Sequence, residues 1–279
     1  EGDNLKLKLE NIYINKSVVL NITGMTDGSI SSDMILRIRG DELFAGEPQY
    51  TETVSLELDE EEQILKEVIS RDYGRDLSHG ITVKSFVDET AKLYSAQINI
   101  KLDSVYECFV YEDDNNFYID LKKPSQVYDK IVVIDAGHGG KDGGAVSKDE
   151  KYCEKDINLD IVLRLKKLLD QSDIKAYYTR TSDQTVYLRP RAELVNAVDA
   201  DYFISIHINA NDSSSPNGME VLYYENEYKG VKSRDLAALF SKELEKTINL
   251  RQKGIVRRNY EDLYILDHSL VPTVLLELG

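Results

Sequence analysis

The sequence predicts an α/β domain, a mostly parallel sheet with helices on both faces, preceded by a smaller β-rich domain. Three observations lead there. Continuous apolar runs at Ile131–Asp135, Asp201–Asn209 and Val271–Leu278 read as strands buried on both faces. Segments with helical spacing stand between these runs, and strands alternating with helices define the α/β class. Residues 1–125 instead show short period-two segments separated by turn residues such as Asp27-Gly28 and Gly46-Glu47-Pro48. The charge balance shifts as well. Residues 1–130 hold 26 acids against 14 bases, a net of −12, and residues 131–279 hold 24 against 20, a net of −4. We place the boundary between residues 125 and 126, in a linker at Lys122–Lys130 that contains Pro124.

In the first domain, Asn11–Thr23 alternates through Ile12, Ile14, Val18, Leu20 and Ile22 as one strand, with a slip in phase near Lys16. Met34–Ile38, Thr51–Leu58, Ala96–Leu102 and Asn116–Leu121 also read as strands. Glu60–Ser70 places Ile64, Leu65, Val68 and Ile69 on one helical face. In the second domain, Ile157–Leu169, Arg189–Val198 and Ser233–Ile248 read as helices, and Lys175–Thr179 and Gly218–Tyr224 as short strands. Open α/β sheets place their active sites in the crevice beyond the carboxyl ends of the strands.

Composition excludes several function classes. A net charge of −16 and a pI near 4.8 argue against nucleic acid, whose phosphates need clustered Lys and Arg. They argue equally against adsorption to an anionic membrane. No apolar run approaches the roughly 18 residues of a membrane span. Two cysteines, Cys108 and Cys153, allow neither a disulfide framework nor a thiolate zinc cluster, and both read as small hydrophobes. The chain opens at Glu1 rather than Met, so we expect a leader to have been removed.

The informative residues sit where the apolar runs end. The first run leads through Asp135-Ala136-Gly137 to His138, the second reaches His207 and Asn209, and the third contains Glu277. Taken singly, His207 also reads as a hydrogen-bonded core histidine, His138 as a turn residue and Glu154 as an acid favoured at a helix start. Glu277 is harder to explain that way, because a carboxylate in a buried run is costly unless paired or bound to metal. Together they supply two imidazoles, a ligand carboxylate and a free carboxylate, the parts of an open zinc hydrolase site. The glycine loop Gly137–Gly144 follows a strand as a phosphate loop does, but Lys141 is followed by Asp142 and no helix starts there. The His-Glu-x-x-His helix of thermolysin-like proteases is absent.

Five ordered segments, Ile131–Gly144 (IVVIDAGHGGKDGG), Glu154–Leu159, Leu188–Asn196 with Arg191, Phe203–Ala210 (FISIHINA) and Val274–Gly279 (VLLELG), resemble the zinc-dependent N-acetylmuramoyl-L-alanine amidases. The resemblance covers nearly all of residues 131–279. It implies hydrolysis of the amide joining N-acetylmuramic acid to L-alanine in peptidoglycan, outside the cytoplasm. It implies Zn2+ held by His138, Glu154 and His207, with Glu277 as the catalytic glutamate taking a proton from water. Asn209 is a candidate substrate contact. Related alternatives are a zinc peptidase acting within the stem peptide and a silent wall-binding protein that keeps the fold. Members of the family usually continue past the Glu-Leu-Gly motif into a closing helix, so one wall of the groove is expected beyond Gly279. Cys153, directly before Glu154, is a possible competing ligand. The first domain is similar in position and character to wall-targeting modules, and a regulatory or partner-docking role is equally open.

Overall fold

In this computed structural model the chain divides into two units, Glu1–Val127 and Tyr128–Gly279. The structure describes residues 6–25, 38–40, 52–59, 64–71, 78–88, 93–112, 117–209 and 218–279.

The first unit holds β1 (Lys6–Ile12), β2 (Ser17–Met25), β3 (Ile38–Gly40), β4 (Glu52–Asp59), β5 (Ile64–Arg71), β6 (Ser78–Asp88), β7 (Leu93–Leu102), β8 (Glu107–Glu112) and β9 (Phe117–Lys122). An antiparallel sheet runs β1-β2-β7-β6-β5-β4, and a second sheet runs β3-β9-β8. Alternate residues Val18, Leu20, Ile98 and Ile100 of the first sheet meet Ile119 and Leu121 of the second in one core.

Two sequence expectations fail in this unit. Asn11–Thr23 is not one strand: β1 pairs antiparallel with β2, and the chain reverses through a 3-10 turn at Tyr13–Asn15 with Lys16 at φ 50°. The slip in phase near Lys16 was that turn. The described part of the expected helix Glu60–Ser70, residues 64–70, is strand instead, because β5 pairs antiparallel with β4 from Glu52↔Arg71 to Asp59↔Ile64, and residues 60–63 lie outside the described residues. Ile64, Val68 and Ile69 are β-branched, and pairing with a neighbouring strand overrides a helical spacing only two turns long. Met34–Ile38 lies outside the described residues apart from Ile38, which begins β3.

A single helical turn, α1 (Pro124–Val127), stands in the expected linker. The second unit then runs β10 (Ile131–Ala136), α2 (Glu154–Leu169), β11 (Lys175–Tyr178), α3 (Leu188–Ala197), β12 (Tyr202–His207), β13 (Met219–Tyr223), β14 (Glu227–Tyr228), β15 (Val231–Lys232), α4 (Ser233–Thr247), β16 (Gln252–Arg257), α5 (Tyr264–Asp267) and β17 (Thr273–Glu277). Its main sheet has the order β11-β10-β12-β17-β13-β16. The first four strands are mutually parallel, while β13 is antiparallel to β17 and parallel to β16. Ile134, Ile204, Val221, Val274 and Leu276 pack with Val162 of α2 and Leu236 and Ala237 of α4 in one core. The alternate strand positions, including Val133, Phe203 and Leu275, point to the opposite face, where α3 contacts β10 and α5 contacts β17. No helix among the described residues is long and apolar enough to cross a membrane.

Candidate metal centre and active site

The site is assembled at the carboxyl ends of three adjacent parallel strands. β12 ends on His207 and β17 ends on Glu277, and the two residues are partners in the parallel register. Glu277 is in turn paired with Glu220 of the antiparallel β13. Gly137 follows β10 and donates its amide to Ile206 O at 3.0 Å, which extends the same row to the other side of His207. A Cβ on Gly137 would lie 2.3 Å from His207 ring atoms, so the imidazole occupies the space that a side chain there would need.

Glu154 is the first residue of α2, where the helix dipole favours an anion. Its Oε1 lies 3.2 Å from His138 Nε2 and 3.0 Å from His207 Nδ1. Ala145 N donates to Oε2 at 2.9 Å and Ile208 N to Oε1 at 3.0 Å. Burial pushes the Glu154 carboxyl up, but bonds from both imidazoles and both amides outweigh it and hold the group well below the usual carboxylate range. Glu154 is thus a helix-start acid whose carboxylate also faces both imidazoles. The metal-binding atoms of His138, Glu154 and His207 all lie within 4.8 Å of one another. The two rings are edge to face at 4.8 Å between centroids. Cys153 is not among these converging groups.

His138 takes a left-handed backbone, φ 62°, which turns its ring toward Glu154. Two buried arginines brace that unusual turn. Arg191 of α3 pairs with Asp135 and donates to Ala136 O and His138 O, both at 2.8 Å. Arg180, just past β11, donates to Ala136 O and Gly137 O, both at 2.9 Å, and to Lys155 O at 2.8 Å. Asp135 also accepts from Ser205 Oγ at 2.6 Å and Thr179 Oγ1 at 2.5 Å. Burial opposes its ionisation, yet Arg191 and the two hydroxyls hold its carboxyl below the ordinary range. Asp142 Oδ2 lies 2.9 Å from His138 Nδ1, the kind of carboxylate contact that fixes the orientation of a ligand imidazole. Bonded to Glu154 first and Asp142 next, His138 is raised to about 9. Gly144, at φ 63°, closes the loop: a Cβ there would lie 2.6 Å from both Glu154 Oε2 and His138 Cδ2.

Glu277 differs from Glu154 in having no such support. Its Oε2 is buried without a hydrogen-bond partner. Burial pushes its carboxyl up to about 7, with Glu154 and Glu220 adding to the rise and His207 opposing it. A proton-accepting carboxylate beside a set of metal donors, poised near neutrality, has the properties of a general base. A pocket of about 350 Å³ opens at this end of the sheet, with His138, His207, Val186, Tyr187, Leu188 and Ile265 among its lining residues.

All five residues expected from the sequence fall in this region. Asn209 lies two residues past the end of β12 rather than on it, and its Nδ2 donates to Glu220 Oε1 at 2.7 Å, beside Glu277. Glu220, Asp135, Asp142 and Arg180 were missed. Asp135 carried the same signal that singled out Glu277, a carboxylate in an apolar run. Arg180 offered none, because its role comes from a loop more than forty residues earlier in the chain.

This α/β unit thus brings two imidazoles and one carboxylate together near the ends of its parallel strands, a set of groups that could hold a metal ion, with the partnerless Oε2 of Glu277 alongside. The chain belongs to the N-acetylmuramoyl-L-alanine amidase family, whose sequence profile matches residues 132–279, more than half of its length. It is similar to N-acetylmuramoyl-L-alanine amidase LytC of Bacillus subtilis, 36% identical over 56% of this chain and 30% of that protein. It is also similar to the probable cell wall amidase LytH of Staphylococcus aureus, 35% identical over 57% of this chain and 50% of that protein. The chain therefore spans half or less of the length of these two relatives. A solved N-acetylmuramoyl-L-alanine amidase from Clostridium difficile 630 is 36% identical, over 53% of this chain and 78% of that one, with a TM-score of 0.48.

Proposed function

We propose that the second unit hydrolyses the amide bond between N-acetylmuramic acid and L-alanine in peptidoglycan, outside the cytoplasm, as a zinc enzyme. Family membership supports the reaction class, and the relatives named as cell wall amidases support the location. The observation that supports the residue-level reading is the shared register of His207 and Glu277, an imidazole and a carboxylate with a partnerless Oε2 on neighbouring strand ends.

The donor set fits zinc: two neutral nitrogen ligands, one carboxylate, and space left for water and substrate. Held by His138, Glu154 and His207, zinc would supply Lewis acidity, bringing the pKa of a water to about 7 and polarising a carbonyl. Glu277 accepts the proton from the attacking water at Oε2 and delivers it to the departing alanine nitrogen. A divalent cation nearby favours its ionised form, which moves this carboxyl from about 7 into the range of a base at neutral pH. Asp142 and the two arginines keep His138 in place throughout. Asn209, held against Glu220, orients the substrate at the far side of Glu277. The first unit is proposed to direct the enzyme to the wall or to a regulating protein.

Mass spectrometry of purified peptidoglycan digested with the protein, with and without a chelator, tests the reaction. Release of intact stem peptides beginning with L-alanine, abolished by chelation and restored by zinc, is the expected result. Cleavage within the stem peptide would replace the amidase with a peptidase, and unchanged peptidoglycan would remove both.

A further inference from the structure

Along α5 and the loops beside it, aromatic rings form a track, a stacked series with Tyr260 exposed and Tyr264 and His268 half-buried. Tyr264 and His268 stack with centroids 3.7 Å apart and planes 13° from parallel. Tyr260 continues the series, 6.2 Å from His268 and at 19°. Tyr260 is 60% exposed, and Leu270, Tyr187 and Leu188 are also exposed. The track joins the pocket through α5, where Ile265, next to Tyr264, is one of the lining residues.

The track is braced in a way that an incidental surface loop does not require. The Asp267 side chain is 1% exposed, and it accepts from Glu261 N and contacts His268 Nδ1, both at 2.5 Å. One buried carboxylate thereby fixes the imidazole and the loop bearing Tyr260. Asn196 of α3 ties the other side, donating to His268 O at 3.1 Å and accepting from Leu270 N at 2.9 Å. Rings held in advance lose little freedom when a ligand lies on them.

We propose that Tyr264, His268 and Tyr260 bind the N-acetylhexosamine rings of the glycan strand that bears the scissile amide. The substrate identity rests on the amidase reading above. A pyranose presents a face of C–H bonds that packs on an aromatic face the stack leaves open, such as that of exposed Tyr260, while its hydroxyl and acetamido groups meet the phenol and imidazole edges of the Tyr264–His268 stack. Such sugars are uncharged once the lactyl carboxyl is in amide linkage, so an acidic protein incurs no repulsion in binding them.

The test is hydrogen exchange of the full chain with an N-acetylglucosamine hexamer, alongside binding titrations of the wild type and of Tyr260→Ala and Tyr264→Leu. Protection of amides within residues 259–270 is expected. Each substitution should weaken this binding by about 3–10-fold, the range for one lost ring contact. Tyr260 is exposed, so its replacement leaves the fold intact, and Tyr264→Leu keeps apolar bulk while removing the ring. Protection confined to residues 1–127, no protection, or variants that bind like the wild type would overturn the proposal. If the hexamer protects the track but peptidoglycan is not cleaved at the muramoyl amide, the amidase reading falls and the track stands.

Discussion

Glu277→Gln separates a base from a ligand, because the amide keeps the shape and removes the proton acceptor. Two magnitudes follow. Turnover on muropeptides should fall by about 10²–10⁴-fold, the usual consequence of losing general acid–base catalysis. Zinc content should stay at wild-type level, since His138, Glu154 and His207 are untouched. The second magnitude concerns stability in chelator-treated protein. Burial first, then Glu154 and Glu220, raise Glu277 from its ordinary 4.5 to about 7. A folded-state pKa above the unfolded one gives stability that is full below about pH 4.5 and is lost as pH rises through 7. The shift corresponds to roughly 3 kcal/mol at most, and screening of a partly exposed group reduces it to about 1–2 kcal/mol. Gln carries no charge and escapes this loss. At pH 8 the stripped variant should therefore unfold about 2–8 °C above the stripped wild type, with the difference vanishing near pH 4. Differential scanning calorimetry at both pH values, with elemental analysis and a muropeptide assay, measures all three quantities. A variant that sheds zinc makes Glu277 a ligand. One that keeps wild-type turnover refutes the mechanism, and one that is less stable than the wild type at pH 8 refutes the electrostatic account.

Three further outcomes are expected. His207→Ala and His138→Ala should each lose bound zinc and activity together by elemental analysis and assay, whereas retained stoichiometric zinc would remove that residue from the ligand set. Zinc affinity of the stripped protein should rise with pH between 6 and 9, because His138 is held protonated to about 9, chiefly by Glu154, and must release its proton to bind. Calorimetry in buffers of different ionisation enthalpy should show more than one proton released at pH 7, one from His138 and part of one each from Glu277 and water, and a pH-independent affinity would contradict the pairing. Gly137→Ala should displace the His207 ring, since the new Cβ would lie 2.3 Å from it, with about 1–3 kcal/mol of overpacking and weaker zinc binding. Unchanged zinc affinity in that variant would show that the ring is free to move.

The second unit was legible in the sequence because buried parallel strands read as apolar runs and the residues that interrupt those runs are informative. Ile131–Asp135 and Val271–Leu278 gave both the strands and the positions of His138 and Glu277. Alternation was a weaker guide. Gln252–Arg257 forms β16 although Gly254 interrupts it at φ 92°, and a short apolar spacing at Ile64–Ile69 fitted a helix as well as the strand it became. Least legible were the groups whose function depends on distant partners. Arg180 acts on Ala136 and Gly137, so nothing in its local sequence distinguishes it from a surface arginine, and Arg191, which acts on Ala136 and His138, stood out only through the family resemblance of Leu188–Asn196.

The register of the sheet explains why the site has the composition it has. Gly137, His207, Glu277 and Glu220 occupy one row across adjacent strands, about 4.8 Å apart from strand to strand. Each place in the row sets a different requirement. The β10 place must lack a side chain, or the imidazole of β12 has no room. The β12 place must carry a metal donor that reaches Glu154 at the start of α2. The β17 place must carry a carboxylate, close enough to the metal donors to exchange a proton with water there, yet without partners of its own. The antiparallel pairing with β13 then puts a second acid beside it, whose negative charge keeps the first basic and which holds Asn209. A one-residue slip of β17 would point Glu277 into the helix-covered core and bring Leu276 or Leu278 to its place, so the apolar pattern that fixes this strand also fixes the chemistry.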